Sequence, residues 1–187
     1  MANVDRPNGL RPVGTFSGAP VTSLIRAIGV ADSADIFLYD PINLESGLAA
    51  PGATNDAAFL GVAVGFAKKD KQGNYSSALM DPDSPNIRFY DDSANTHTDW
   101  VCFYVPADDV VFEAQTATAL TLLPGSQCDL LYTAGNTTTG ISACELTTDS
   151  NHDFEVVSIP LRPDNDQTAV WGRYNVIFIR AEQAFHA

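Results

Sequence analysis

Cations are scarce in this chain of 187 residues, because ten Lys and Arg stand against 23 Asp and Glu and leave a net charge of −13. A phosphate backbone is bound by clustered Lys and Arg, so the shortage argues against nucleic acid as a partner. Long apolar runs are also missing, and the longest clean ones are Phe59 to Phe66 and Val176 to Ile179. A membrane helix needs about 20 consecutive apolar residues. We therefore expect neither a nucleic-acid partner nor a membrane partner.

Cysteine is equally sparse, and its three positions, Cys102, Cys128 and Cys144, are widely spaced. An odd number without a CxxC pair gives neither a disulfide framework nor a zinc-ligand pattern. Cys102 lies in the apolar run 100–105, where a free cysteine is commonly buried as a small hydrophobe. The start of the chain lacks the basic and apolar stretches of an export signal, so we expect synthesis in the cytoplasm.

Motifs that carry catalytic or metal chemistry are missing as well. The sequence contains no GxSxG elbow, no GxxxxGK[ST] phosphate loop and no GxGxxG fingerprint after a strand. The run that starts at Asp81 begins like a calcium loop, but Asn86 and Asp92 stand where that loop needs Gly and Glu. We expect no catalytic residue, no cofactor and no metal, and hence a protein that is not an enzyme.

Short apolar runs bounded by Pro, Gly, Asn and Asp are abundant, and such runs predict strands. They lie at residues 23–30, 35–40, 59–66, 86–90, 100–105, 110–115, 127–132, 153–161 and 174–180. The runs 100–105 and 110–115 flank the acidic turn at Asp108 and Asp109, an arrangement that favours a hairpin. Helix signals are weak, with room for one short helix after Gly47 or at 93–99. The pattern indicates an all-β fold, either a single β-sandwich or a small, β-tulip-like β-barrel.

The first 22 residues are predicted to form an extended N-terminal arm, and residues 23–187 the β-rich globular domain. Prolines and glycines alternate through the arm and interrupt any helix. Residues 1–30 hold three arginines against one aspartate, a charge of +2, which leaves −15 for the rest of the chain. Because the arm also carries apolar side chains, we expect it to be ordered against its own body or another subunit. Its candidate contact residues are Arg6, Leu10, Arg11, Val13 and Phe16.

Several segments resemble a family of tailed-bacteriophage head proteins. Residues 8–14, Asn-Gly-Leu-Arg-Pro-Val-Gly, follow a Met-Ala-Asn start and are similar to the GFRPV or GLRPV segment of that family. Leu10 stands where an aromatic residue is commoner. The runs 59–66, 110–115 and 176–180 resemble the strands that follow in the family.

The resemblance implies a capsid decoration (cement) or minor head protein, which is a non-enzymatic virion component that binds and stabilises the outer surface of the capsid lattice. The implied partner is the major capsid protein, and the implied assembly is a homo-oligomer, a trimer or alternatively a dimer. The implied location is the outer surface of the virion capsid, after synthesis in the host cytoplasm. Deletion of residues 1–22 is expected to abolish head binding and to leave the β-domain folded.

Two other functions are compatible with the sequence. A glycan- or receptor-binding β-module of a phage fibre or tail would stack exposed aromatic rings on its ligand, and Trp100, Trp171 and Tyr75 are the candidates. A hydrolase would need a converging carboxylate pair such as Asp108 and Asp109. Adjacent residues of a strand point to opposite faces, so that pair converges only in a turn.

Overall fold

Nearly all regular structure in this chain is β. The computed structural model describes residues 3–32, 34–54, 58–70, 72–74, 89–148 and 152–179. Its strands are β1 Arg11–Thr15, β2 Arg26–Gly29, β3 Ile36–Phe37, β4 Pro41–Glu45, β5 Leu48–Pro51, β6 Phe59–Lys68, β7 Phe89–Tyr90, β8 Trp100–Pro106, β9 Val110–Gln115, β10 Gln127–Leu131, β11 Glu145–Thr147, β12 Phe154–Ser158 and β13 Arg173–Phe178. Two short 3-10 helices lie at Val21–Leu24 and His97–Asp99. The all-β prediction is confirmed.

The strands pair antiparallel in three sheets. A six-stranded sheet has the order β1-β9-β13-β12-β10-β11, and a five-stranded sheet has the order β2-β8-β6-β4-β5. A two-stranded sheet is made of β3 and β7. Over the described residues these sheets are not closed into a barrel, so of the two predicted architectures the sandwich is the one observed.

The main core lies between the six-stranded and the five-stranded sheet. Every second side chain of β13 points into it, which matches the alternating sequence of that strand. The Phe178 ring lies 4.7 Å from that of Phe154 on β12 and 5.2 Å from that of Phe59 on β6, measured between ring centroids. These aromatic contacts hold the two sheets together.

A second core lies on the other face of the five-stranded sheet. Leu60 and Phe66 of β6 pack there with Cys102 of β8 and with Tyr90 of β7. Strands β6 and β8 are thus buried on both faces, which explains why their sequences are continuous apolar runs instead of alternating ones. Cys102 is fully buried, as the sequence predicted.

The predicted hairpin of 100–105 with 110–115 is wrong. Strand β8 belongs to the five-stranded sheet, whereas β9 belongs to the six-stranded sheet. Pro106 ends β8, and Asp109 takes a left-handed backbone conformation with φ of 65°. The acidic turn therefore carries the chain from one sheet to the other.

The predicted helix after Gly47 is also wrong, because β5 occupies that position as the second arm of a hairpin with β4. The turn between them has φ of 52° at Ser46 and 82° at Gly47. Two successive positive φ angles are typical of the tight turn that best matches the twist of a hairpin. The alternative helix position, 93–99, contains only the short 3-10 helix His97–Asp99.

Residues 3–22, which fall in the predicted arm, lie against the body of the same chain. Arg11–Thr15 is the edge strand β1 and pairs with β9, while Leu10 is 1% exposed and belongs to the main core. Removal of residues 1–22 would take an edge strand and a core leucine from the sandwich. The expectation that the β-domain stays intact after this deletion is therefore corrected.

Candidate binding site

The N-terminal segment, residues 3–17, is held at both ends by hydrogen bonds to loops that border the six-stranded sheet. The side-chain amide of Asn3 donates to the carbonyl oxygens of Asp166 (2.7 Å) and Val170 (3.0 Å) and accepts from the N–H of Asp166 (2.7 Å). At the other end, the Ser17 N–H donates to a carboxylate oxygen of Asp109 at 3.0 Å, and the Ser17 hydroxyl donates to the second oxygen. The residues between these two anchors are held along β9.

Gly9 fixes the middle of the segment. Its φ is +60°, and an added Cβ would lie 2.4 Å from the carbonyl oxygen of Tyr39 and 2.5 Å from the Cβ of Ser142. The next residue, Leu10, donates its N–H to that same Tyr39 carbonyl at 3.0 Å. Only glycine fits this position without displacing backbone atoms.

The free edge of β1 is poorly suited to pairing with another strand. Pro12 has no N–H to donate, and the pairing register shifts between Pro12 and Gly14, which leaves Val13 as a bulge. Proline and bulges are devices that protect sheet edges from strand addition. Addition of another strand at this edge is therefore disfavoured.

The segment presents a row of exposed side chains. Val4, Val13 and Phe16 are 55%, 44% and 59% exposed, and Arg6 and Arg11 are exposed as well. We call Val4, Arg6, Arg11, Val13 and Phe16 the N-terminal strip. Four of the five predicted contact residues belong to it, and Leu10 is the exception because its side chain packs in the core.

A small, solvent-open pocket adjoins the strip. Its polar lining comes from three elements that are distant in sequence: the N-terminal segment, β9 and β13. The lining side chains are Arg6, Asn8, Arg11, Glu113, Gln115 and Arg173. Two of the five predicted contact residues, Arg6 and Arg11, thus lie in one pocket.

Glu113 lines this pocket, and two arginines neutralise the charge of its carboxylate. It points to the outer face of β9 but is only 6% exposed. Arg162 donates to both of its carboxylate oxygens, at 3.2 and 2.5 Å, and a guanidinium nitrogen of Arg173 lies 3.5 Å from one of them. Arg11 is the direct cross-strand partner of Glu113. The two carboxylate oxygens of Glu113 are, however, already paired with the other two arginines. Within the described residues, the guanidinium groups of Arg6 and Arg11 have no hydrogen bond or ion pair.

Gln115 organises the rim of the pocket. Its side-chain oxygen accepts the backbone N–H of Arg6 at 3.0 Å, and its side-chain nitrogen donates to Asp5 (3.1 Å) and to Glu145 (3.0 Å). Burial raises the pKa of Glu145, the hydrogen bond from Gln115 lowers it, and the nearby charge of Asp5 raises it further. Two acidic side chains therefore lie next to Gln115 and close to the arginines.

The local charge is positive even though the protein is acidic. Arg6, Arg11, Arg162 and Arg173 contribute four positive charges, and the three carboxylates in and beside the pocket subtract three, which leaves +1 in a chain with a net charge of −13. Exposed guanidinium groups are hydrogen-bond donors that match anionic oxygen groups.

A second group of reactive side chains, Asp40, Ser142 and Cys144, is buried. Asp40 is 0% exposed and the other two are 1% exposed. The Asp40 carboxylate accepts the Phe37 N–H at 2.8 Å, and the Cys144 thiol donates to it at 3.7 Å. Burial raises the pKa of Asp40 to about 7, against hydrogen bonds that lower it, and burial also raises the pKa of the Cys144 thiol. A buried, protonated thiol is a poor nucleophile, so this group is a structural junction between loops.

The described residues among those predicted for the alternative functions have different surroundings. Trp100 is 7% exposed and packs in the second core, whereas Trp171 is half-buried with a φ of 65°. The Asp109 carboxylate holds Ser17, while Asp108 is exposed. Tyr75, the calcium-like run 81–86, residues 86–88 of one predicted strand and Arg180 of another lie outside the described residues.

The sequence interpretation missed four lining side chains, Asn8, Glu113, Gln115 and Arg173, and it also missed Arg162, which pairs with Glu113. Arg162 lies 49 positions from Glu113 along the chain, and such a pairing leaves no local signal. Glu113 itself did give a local signal, because it is a carboxylate in an otherwise apolar run. Such a residue needs a cationic partner when it is buried.

No group of three or more His, Cys, Asp or Glu side chains in the described part of the chain is arranged to hold a metal ion. No helix among those residues is long and apolar enough to cross a membrane.

Comparisons with protein-family models, with curated proteins and with solved structures found no significant match. Function is therefore inferred from the chain's own residues.

Proposed function

We propose that this protein is a non-enzymatic structural protein that binds and stabilises the outer surface of a phage capsid lattice, as decoration or cement proteins do. The observation that carries the proposal is the N-terminal strip, in which exposed apolar and arginine side chains are held in fixed positions on an acidic sandwich. The partner of the strip is the major capsid protein.

The geometry of the strip supports a docking role. A flexible arm loses conformational entropy when it binds, whereas this segment is already anchored at Asn3, Leu10 and Ser17. Preorganised contacts cost less on binding. Phe16 and Val13 supply apolar area, and Arg6 and Arg11 supply charge. Aromatic residues and arginine are enriched at protein interfaces.

The charge of the whole chain supports the same role. A net charge of −13 keeps copies apart in solution through mutual repulsion and disfavours contact with packaged nucleic acid. Binding at many equivalent lattice positions, as a trimer or dimer, would then gain from avidity.

Copy number in purified particles tests the proposal. Quantitative mass spectrometry of virions of the phage that encodes this chain should find hundreds of copies, as a repeating lattice requires. Limited proteolysis of intact particles should reach the chain, because it lies outside the shell. Absence from the particles, or a number of about a dozen or fewer, would replace this proposal with a vertex, tail or non-virion role.

A further inference from the structure

We propose that the pocket between Arg6, Arg11 and Arg173 binds the side-chain carboxylate of an acidic segment in the protein partner. The identity of the partner rests on the proposed function, but the carboxylate chemistry rests on the pocket alone.

The unpaired guanidinium groups are the first reason. Arg6 and Arg11 project into the pocket without a hydrogen bond or ion pair among the described residues, although the chain has more than twice as many carboxylates as cations. Each guanidinium presents a planar fork of donors that matches the two oxygens of a carboxylate. Gly9 and Gln115 fix the backbone around Arg6 and Arg11, so the base of each arginine side chain has a defined position.

The buried Glu113 is the second reason, because it shows how this pocket already holds a carboxylate. Arg162 donates to both of its oxygens, and Arg173 approaches one of them at 3.5 Å. The side chain of Arg173 is 22% exposed and that of Glu113 is 6% exposed. Arg173 and Glu113 both line the pocket, so Arg173 can share its charge between Glu113 and a second carboxylate.

The acidic side chains near the pocket are the third reason, because they leave geometry to select the ligand. Gln115 donates to Asp5 and Glu145, and Glu113 lines the pocket. These carboxylates offset most of the arginine charge, so the long-range attraction of any anion is weak. The planar match between guanidinium and carboxylate then decides which anion is held.

Solution NMR of the full chain provides the test. The probes are an end-capped peptide, acetyl-Gly-Glu-Asp-Glu-Gly-amide, its Gln-Asn-Gln isostere, and inorganic phosphate. The acidic peptide should shift the side-chain N–H resonances of Arg6 and Arg11, and Arg11→Gln should weaken its binding by about two- to five-fold, as expected for one exposed ion pair. Arg26→Gln, an exposed arginine on β2 in the other sheet, is the matched control and should leave the affinity unchanged.

Several results would overturn the carboxylate assignment. The first is an equal affinity for the Gln-Asn-Gln peptide, and the second is tighter binding of phosphate. The third is an equal loss of affinity in Arg26→Gln and Arg11→Gln, which would indicate unspecific attraction, and the fourth is no shift at either arginine. A peptide with an uncapped C-terminus distinguishes a terminal carboxylate, and stronger binding of that peptide would also contradict a side-chain ligand. None of these outcomes depends on whether particles contain the chain, so this proposal and the proposed function fail separately.

Discussion

Gly9 has the most constrained backbone position of the N-terminal segment, because it combines a left-handed conformation with close neighbours. Gly9→Ala is expected to lower the free energy of unfolding by about 2–4 kcal/mol, through the unfavourable φ and the displacement of the Tyr39 carbonyl and Ser142. Urea unfolding monitored by tryptophan fluorescence measures this change.

Gly18 provides the control for that substitution. Its φ is +74°, but nothing lies within 4 Å of an added Cβ. Gly18→Ala should therefore cost only the conformational part, about 1 kcal/mol. Equal losses in the two variants would mean that the packing around Gly9 is not what fixes the segment.

Asp40 makes the stability of the chain depend on pH. Its pKa is raised from 3.8 to about 7 by burial, so the folded state retains a proton that the unfolded chain releases at lower pH. Stability contributed by this group is full below pH 4 and falls as the pH rises towards 7, by up to roughly 4 kcal/mol. Asp40→Asn removes this dependence, and urea unfolding between pH 4 and pH 7 should show a flatter curve for the variant.

An exposed carboxyl controls for general effects of charge on that curve. Asp108 lies at the surface in the turn between the two sheets, and Asp108→Asn should leave the slope of the native protein in place. If Asp40→Asn and the native chain gave parallel curves, the proton would belong to another group.

At the scale of the element, the N-terminal segment has a buried face and an exposed face, which contribute differently to the free energy of unfolding. Leu10 packs in the main core, whereas Val13 lies at the exposed bulge of β1. Leu10→Ala should lower the free energy of unfolding by about 2–5 kcal/mol, while Val13→Ala should stay within about 0.5 kcal/mol. Chemical denaturation of both variants checks this. A small loss for Leu10→Ala would show that the segment is an arm detached from the core after all.

Strands buried on both faces were the easiest elements to predict. Residues 59–66 and 100–105 were recognised because each is a continuous apolar run of strand length, rich in β-branched and aromatic residues. Strand β5 was missed, since Leu48–Pro51 contains small residues that give neither a strand nor a helix period. The hairpin prediction was wrong for another reason. The sequence of the acidic turn is the same whether the turn joins two strands of one sheet or strands of two different sheets.

The candidate pocket could be predicted only in part. Arg6 and Arg11 stood out because they are cations with few acidic neighbours in sequence, at the start of an acidic chain. Arg173 reaches the pocket because β13 pairs with β9. Arg162 reaches Glu113 from the loop before β13. Sheet order is a long-range property, so local sequence did not contain that half of the site.

At the scale of the whole molecule, the distribution of charge is the central feature. The sequence places −15 on residues 31–187, yet the fold brings two arginines of that part next to Arg6 and Arg11. The result is an acidic sandwich whose N-terminal strip carries exposed apolar side chains next to the arginines of the pocket. A protein with this surface is suited to stay dispersed until it meets a partner with matching acidic and apolar groups.

Co-sedimentation with phage heads that lack the chain tests most directly whether this face is the docking surface. The double variant Arg6→Glu/Arg11→Glu should lose binding to the heads while it retains its fold. Arg26→Glu/Lys68→Glu, which makes the same change in charge at exposed positions of the other sheet, should bind like the native chain. Undiminished binding by the Arg6 and Arg11 variant, or equal loss by both variants, would contradict docking through the N-terminal strip and its pocket.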